Sequence, residues 1–83
     1  MGLAEDFKKA QKDIRSLDSL DTDNLLKLYA LYKQGTEGDV SGKRPGMLDL
    51  KGRAKYDAWS KLEGTSEEEA QKKYVALVKK LLA

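Results

Sequence analysis

The chain has 83 residues and contains neither cysteine nor histidine, which excludes disulfides, thiolate metal sites, Ser–His and Cys–His nucleophiles and an imidazole switch near neutral pH. Its net charge of +2 is too small to predict nucleic-acid binding, and no apolar run approaches the ~20 residues needed to cross a bilayer. A charged content of 36% would suit a disordered chain, but Leu, Val, Ile and aromatic residues recur regularly, and the composition favours Leu, Lys, Ala and Glu, so the chain reads as folded and helical.

Leu3, Phe7, Ala10, Ile14 and Leu17 recur at alternating steps of four and three, the stripe of an amphipathic helix over about Leu3 to Leu17. A polar connection follows, with Asp18, Ser19, Asp21, Thr22 and Asp23 around Leu20; Asp21 or Thr22 is placed to cap the next helix. That second helix is predicted over roughly Asp23 to Gly35. Leu25, Leu28 and Tyr32 share one face, with Tyr29 beside it and Leu26 further round. So wide an apolar arc needs cover on more than one side.

Helical periodicity vanishes from Thr36 to Asp49, where Gly38, Gly42, Pro45 and Gly46 fall. A loop of this length in so small a chain is usually functional or disordered, and Met47 and Leu48 predict that part of it packs. Asp49 can cap a third helix over about Leu50 to Leu62, with Ala54, Ala58, Trp59 and Leu62 as its apolar face and Gly64 at its end. Thr65 or Ser66 opens a fourth helix, each with Glu three positions later, the capping-box pattern. Glu67 to Glu69 suit the positive end of that helix and Lys79 and Lys80 the other, while Ala70, Tyr74, Leu77 and Leu81 form its inner stripe. Four helices, no strand signal and one long loop between helices 2 and 3 predict an all-α four-helix bundle forming a single domain over residues 1–83.

Three residues of the second helix, Tyr29, Tyr32 and Lys33, crowd one side of it, and Lys51 and Lys55 lie four apart on the third. Two flat rings with hydroxyls and several ammonium groups fit a ligand that carries an aromatic base and phosphates. The same residues equally fit core tyrosines with wet hydroxyls and solvated surface lysines, and spacing alone favours that ordinary reading.

Tyr29-Ala30-Leu31-Tyr32-Lys33-Gln34-Gly35-Thr36-Glu37-Gly38-Asp39, then Arg44-Pro45-Gly46-Met47-Leu48-Asp49, then Lys51-Gly52-Arg53-Ala54-Lys55-Tyr56-Asp57-Ala58-Trp59 together resemble the acyl-CoA-binding protein family. Gly64-Thr65-Ser66 and Tyr74 continue the match, as do Phe7 and Ala10 near the start, so the resemblance covers almost the whole chain. It implies a carrier and buffer for medium- and long-chain acyl-CoA, not an enzyme, with fatty acyl-CoA as ligand and no cofactor or metal. It further implies that Tyr29, Tyr32 and Lys33 contact the adenine and its 3′-phosphate, that Lys55 also binds that phosphate, and that Lys51 and Tyr74 contact the ligand. Ala30 and Leu31 fall inside the contact segment, and Arg15 stands where a basic residue late in the first helix joins the site. The acyl chain would lie in an apolar groove, for which Ala10, Leu25, Leu26 and Met47 are suitable lining. The chain departs from the family pattern at Tyr56, where Trp is frequent, at Gly35, where Ala is, and at Arg15, where Lys is common. Its first connection is one residue shorter and lacks a proline.

Other motifs carry less. Gly38 to Lys43 lacks the glycine spacing of a phosphate-binding loop, and Arg44 replaces the required Ser or Thr. Glu67, Glu68 and Glu69 are adjacent on a helix and cannot converge on a metal. Asp39 and Asp49 read as turn and cap residues, and Trp59 as packing. Met1-Gly2 would suit N-myristoylation were Asp6 a Ser or Thr. The chain is expected to be a cytoplasmic monomer with no nucleic-acid partner and no stable membrane insertion. The alternative is a helical interaction module that docks a partner protein or an anionic membrane.

Overall fold

A computed structural model describes residues 2–17 and 19–83; Met1 and Asp18, the latter expected in the first connection, lie outside the described residues. Four helices follow in order: α1 (Leu3–Ile14), α2 (Thr22–Glu37), α3 (Leu50–Ser60) and α4 (Glu67–Leu82). The fold is all-α, and no strand occurs among the described residues.

Three of the four helices, α2, α3 and α4, start at a side-chain cap. The carboxylate of Asp21 accepts from the Asn24 N–H at 3.1 Å, that of Asp49 accepts from the Gly52 N–H at 2.9 Å, and the Ser66 hydroxyl accepts from the Glu69 N–H at 3.1 Å. The ends differ more from expectation. α1 stops at Ile14, not Leu17, because the N–H groups of Arg15, Ser16 and Leu17 bond three residues back, tightening the chain into a turn. α2 runs through Gly35 to Glu37, and its stop is Gly38, whose φ of +80° a side chain would strain. Gly35 serves packing instead. A Cβ there would meet Gln71 Cγ at 3.0 Å and Phe7 Cζ at 3.4 Å.

α4 packs against both α1 and α2, and α3 packs against α2 alone, giving a flat body of 40 × 29 × 15 Å. The core sits where α1, α2 and α4 meet and consists of Phe7, Ala10, Leu28, Leu31, Ala70, Tyr74 and Val78. On α4 the fully buried residues are Ala70, Tyr74 and Val78; Leu77 and Leu81 flank them half-buried, since two neighbours widen the covered arc. Met47 and Leu48, expected to pack, are 79% and 100% exposed.

The C-terminal ends of α2 and α3 lie together. The Trp59 indole N–H donates to the Gly38 carbonyl at 2.8 Å, and the side-chain amide of Gln34 donates to the Thr65 carbonyl at 2.6 Å. The two helices therefore run in the same sense. A parallel pair cannot be joined by a tight turn, so residues 38–49 must return the chain along α2, whose 16 residues span ~24 Å. This accounts for the long connection in physical terms. Arg44 pins the returning strand of chain through two bonds to Asp57, at 2.8 and 2.7 Å, and the Tyr56 hydroxyl donates to the Gly42 carbonyl at 3.0 Å.

Gln34 is fully buried at the junction. Its amide donates also to Asp39 at 2.9 Å, and the same Asp39 oxygen accepts from the Gly64 N–H at 2.9 Å. The Gly64 N–H, and after it Gln34, hold the Asp39 carboxyl below the usual carboxylate range; Arg44 does the same for Asp57. A carboxyl lowered in the folded state contributes stability above its unfolded value and loses it as pH falls through the folded one. Urea midpoints are thus expected to stay level from about pH 7 to about pH 5 and to fall below about pH 4. Asp39→Asn should make that acid-side fall shallower, which urea titrations of both proteins would check.

Candidate functional site

The wide apolar arc of α2 is covered on one side by α4 and faces α3 on the other. Leu28 and Leu31 point into the core. Leu26, Ala30 and Leu31 meet Ala54, Ala58 and Leu62 across a cavity of about 530 Å³ between α2 and α3, flanked by Asp23, Lys27, Asp57 and Lys61. This volume falls within the ~300–1,000 Å³ of small-molecule sites. The expected apolar face of α3 is real, but only Trp59 on that helix is fully buried; Ala54, Ala58 and Leu62 wall the cavity.

The α2–α3 pair also sets two of the predicted lysines over aromatic rings. The Lys55 ammonium lies 5.3 Å from the Tyr29 ring centroid, and the Lys33 ammonium lies 5.0 Å from the Trp59 ring. These are cation–π distances, and they keep two positive charges over aromatic faces. Lys33 also donates to the Glu37 carboxylate one turn on. That bond, more than any other influence, raises the Lys33 ammonium above its ordinary value, so it stays cationic throughout the neutral range. Lys51 stands exposed in the first turn of α3.

Tyr32 turns the other way, toward α1. Its ring lies 6.1 Å from that of Phe7, and Phe7 meets Tyr74 edge-to-face at 5.1 Å. Tyr74 is buried, and burial above all, with Tyr32 second, pushes its hydroxyl up, while the Arg15 charge opposes this. Arg15, at the exposed C-cap of α1, is thereby close enough to act on the Tyr74 hydroxyl. The predicted residues thus fall into two groups, Tyr29, Lys33 and Lys55 at the α2–α3 face and Arg15, Tyr32 and Tyr74 around Phe7.

Of the residues expected to line the groove, Leu26 borders the cavity. Leu25 and Met47 do not; they are 53% and 79% exposed, Leu25 because it sits one position off the covered arc and Met47 because it caps a turn. Ala10 is buried in the α1–α4 contact, beside a small recess with Val75 and Val78. Sequence reasoning did not single out Glu37, Asp57 or Lys61 as neighbours of the site. The four-residue spacings of Lys33 to Glu37 and Asp57 to Lys61 were the available signal. Among the described residues no group of three or more acidic residues is arranged to hold a metal ion, and no helix is long and apolar enough to cross a membrane.

The family model described as "Acyl CoA binding protein" matches residues 4–78. An "Acyl-CoA-binding protein homolog" of Manduca sexta is 54% identical, over 100% of this chain and 94% of its own length. "Acyl-CoA-binding protein homolog 1" of Caenorhabditis elegans is 51% identical, over 93% of this chain and 91% of its own. The crystal structure of Oryza sativa acyl-CoA-binding protein 2 superposes with a TM-score of 0.93 at 45% identity, covering 98% of this chain and 91% of that one. On sequence and on fold, the chain belongs to the acyl-CoA-binding protein family.

Proposed function

We propose that this protein binds medium- and long-chain fatty acyl-CoA as a carrier and buffer in the cytoplasm, through one domain spanning residues 1–83. The observation that carries this reading is the juxtaposition of Lys55 over Tyr29, and of Lys33 beside Trp59, with an apolar cavity between the same two helices. A ligand with a phosphorylated nucleotide at one end and an alkyl chain at the other matches both halves. Tyr29 stacks on the adenine, Lys33 and Lys55 neutralise the 3′-phosphate with Lys51 on the rim, and Tyr32, Tyr74 and Arg15 meet the CoA part from the α1 side, around Phe7. Ala30 and Leu31 carry the contact from that rim into the groove, where Leu26 lies against the acyl chain. Sequestration lowers free acyl-CoA, shields the thioester and limits its detergent action on membranes. No catalytic group is needed for any of this.

Each buried methylene contributes ~0.8 kcal/mol, so affinity should rise about fourfold per carbon until the groove is full. Calorimetric titration with a series of saturated acyl-CoAs tests this; a flat series would contradict it. Incubation with palmitoyl-CoA should release no free thiol, and steady release would point to a thioesterase instead.

Glu37 is an internal rival for the phosphate, since its carboxylate already occupies the Lys33 ammonium. Exposed pairs of this spacing are worth up to ~1 kcal/mol. Glu37→Gln should therefore tighten acyl-CoA binding about threefold, with the gain absent in a Lys33→Ala background.

A further inference from the structure

The α2–α3 cavity opens on two flanks of different chemistry. Tyr29 and Lys55 meet on one flank of the helix pair. Lys27 stands two residues from Tyr29, roughly 200° around α2, and Lys61 is turned about 120° away from Lys55 on α3, so both lysines belong to the other flank. Four charged residues, Asp23, Lys27, Asp57 and Lys61, border the cavity, and the rest of its wall is leucine and alanine. Asp23, Lys27 and Lys61 are exposed and Asp57 is half-buried, so charged groups in contact with water, rather than an apolar cap, bound the far mouth. Their charges do not cancel. Asp57 accepts two bonds from Arg44, at 2.8 and 2.7 Å, and the Arg44 guanidinium, with Arg53 and Lys61 behind it, holds its carboxyl below the usual range. Asp23 sits in the first turn of α2, where the positive end of the helix already favours it. Neither Lys27 nor Lys61 is in an ion pair among the described residues.

We infer, resting on the proposed acyl-CoA function, that the far mouth receives the end of the acyl chain and that the protein accepts acyl-CoA esters whose chain ends in a carboxylate, met by Lys27 and Lys61. A chain that enters beside Tyr29 and Lys55 crosses the apolar wall and comes out between charged side chains. A methyl end there gains little, because its surroundings stay wet. A carboxylate there keeps much of its water and meets two ammonium groups. In a groove closed by apolar side chains the same carboxylate would lose its hydration with no partner, weakening binding at least about a hundredfold. The mouth also selects the sign of the charge, since an ω-ammonium end would face the same two lysines and be repelled. Chain length enters as well. A short chain leaves its carboxylate between the leucines and alanines of the wall, and only a chain long enough to cross brings it to the lysines.

The test is calorimetric titration of the full chain with lauroyl-CoA, stearoyl-CoA and the ω-carboxy counterpart of each. The quantity read is the ratio of affinities, carboxylated over methyl-ended, at each length. Damage to the fold or to the nucleotide end lowers both affinities and leaves the ratio alone. The ratio should rise at least about tenfold from the lauroyl to the stearoyl length. Lys27→Gln/Lys61→Gln should lower the stearoyl-length ratio about tenfold, and Asp23→Asn should raise it about threefold. A ratio as low at the stearoyl length as at the lauroyl length would overturn the inference, as would a ratio that the double substitution does not move. So would an ω-amino stearoyl-CoA that binds as well as the ω-carboxy one, since exit into water would then be the whole effect. In each of these cases tight binding of stearoyl-CoA itself leaves the proposed function standing. Failure of stearoyl-CoA and its carboxylated counterpart alike to bind would instead remove that function, and this inference with it.

Discussion

Gln34→Ala is expected to destabilise the fold by about 3 kcal/mol, a fall of roughly 15 °C in melting temperature for a domain of this size. Gln34 has 0% exposure, so truncation leaves a cavity that the three surrounding segments cannot readily fill. It also strips the Thr65 carbonyl of its donor and weakens the hold on Asp39, which in turn positions Gly64 at the start of the passage into α4. Gln34→Leu separates the two contributions. It restores volume but not hydrogen bonds, and should cost about 1–3 kcal/mol. Thermal melts of the two variants would check the order; equal stability of both with wild type would remove the junction from the account of the fold.

Lys55→Ala is the second large effect. A hydrogen bond to a charged group contributes ~1.5–3 kcal/mol, so acyl-CoA affinity should fall about ten- to a hundredfold. Lys55 is exposed and its contact with Tyr29 is a surface cation–π pair, so the ligand-free melting temperature should move only a few degrees. Unaltered affinity would remove Lys55 from the phosphate site. Tyr29→Ala would also weaken binding, though its half-buried ring makes the melting control essential.

The sequence made the helix starts legible because a cap is a local event. Asp21, Asp49 and Ser66 each bond an N–H three residues on, and the side chain needed for this is visible in the sequence. The stops were less legible. Gly35 and Gly38 are alike as letters, and only φ and the approach of Phe7 and Gln71 separate a packing glycine from a terminating one. The burial of Val78 in place of Leu77 and Leu81 depends on α4 having two neighbours, which periodicity along one helix does not reveal.

The site was legible in a similar way. Tyr29, Lys33 and Lys55 stood out by type and spacing, but their meeting depends on α2 and α3 running in the same sense, a property of the long connection rather than of either helix. The apolar positions Ala54, Ala58 and Leu62 were readable as a face, yet a face that lines a cavity and one that fills a core have the same pattern. Met47 and Leu48 were misjudged for a related reason. An apolar residue in a loop is usually packed, and here a turn held by Gly46 and Asp49 keeps both in water.

The central claim is that one site reads both ends of an acyl-CoA, the nucleotide at Tyr29, Lys33 and Lys55 and the chain in the α2–α3 cavity. Calorimetric titration of the full chain with palmitoyl-CoA, with CoA and with palmitate tests it most directly. The account predicts tight binding of palmitoyl-CoA and weak binding of each half alone; palmitate binding as tightly as palmitoyl-CoA would contradict it.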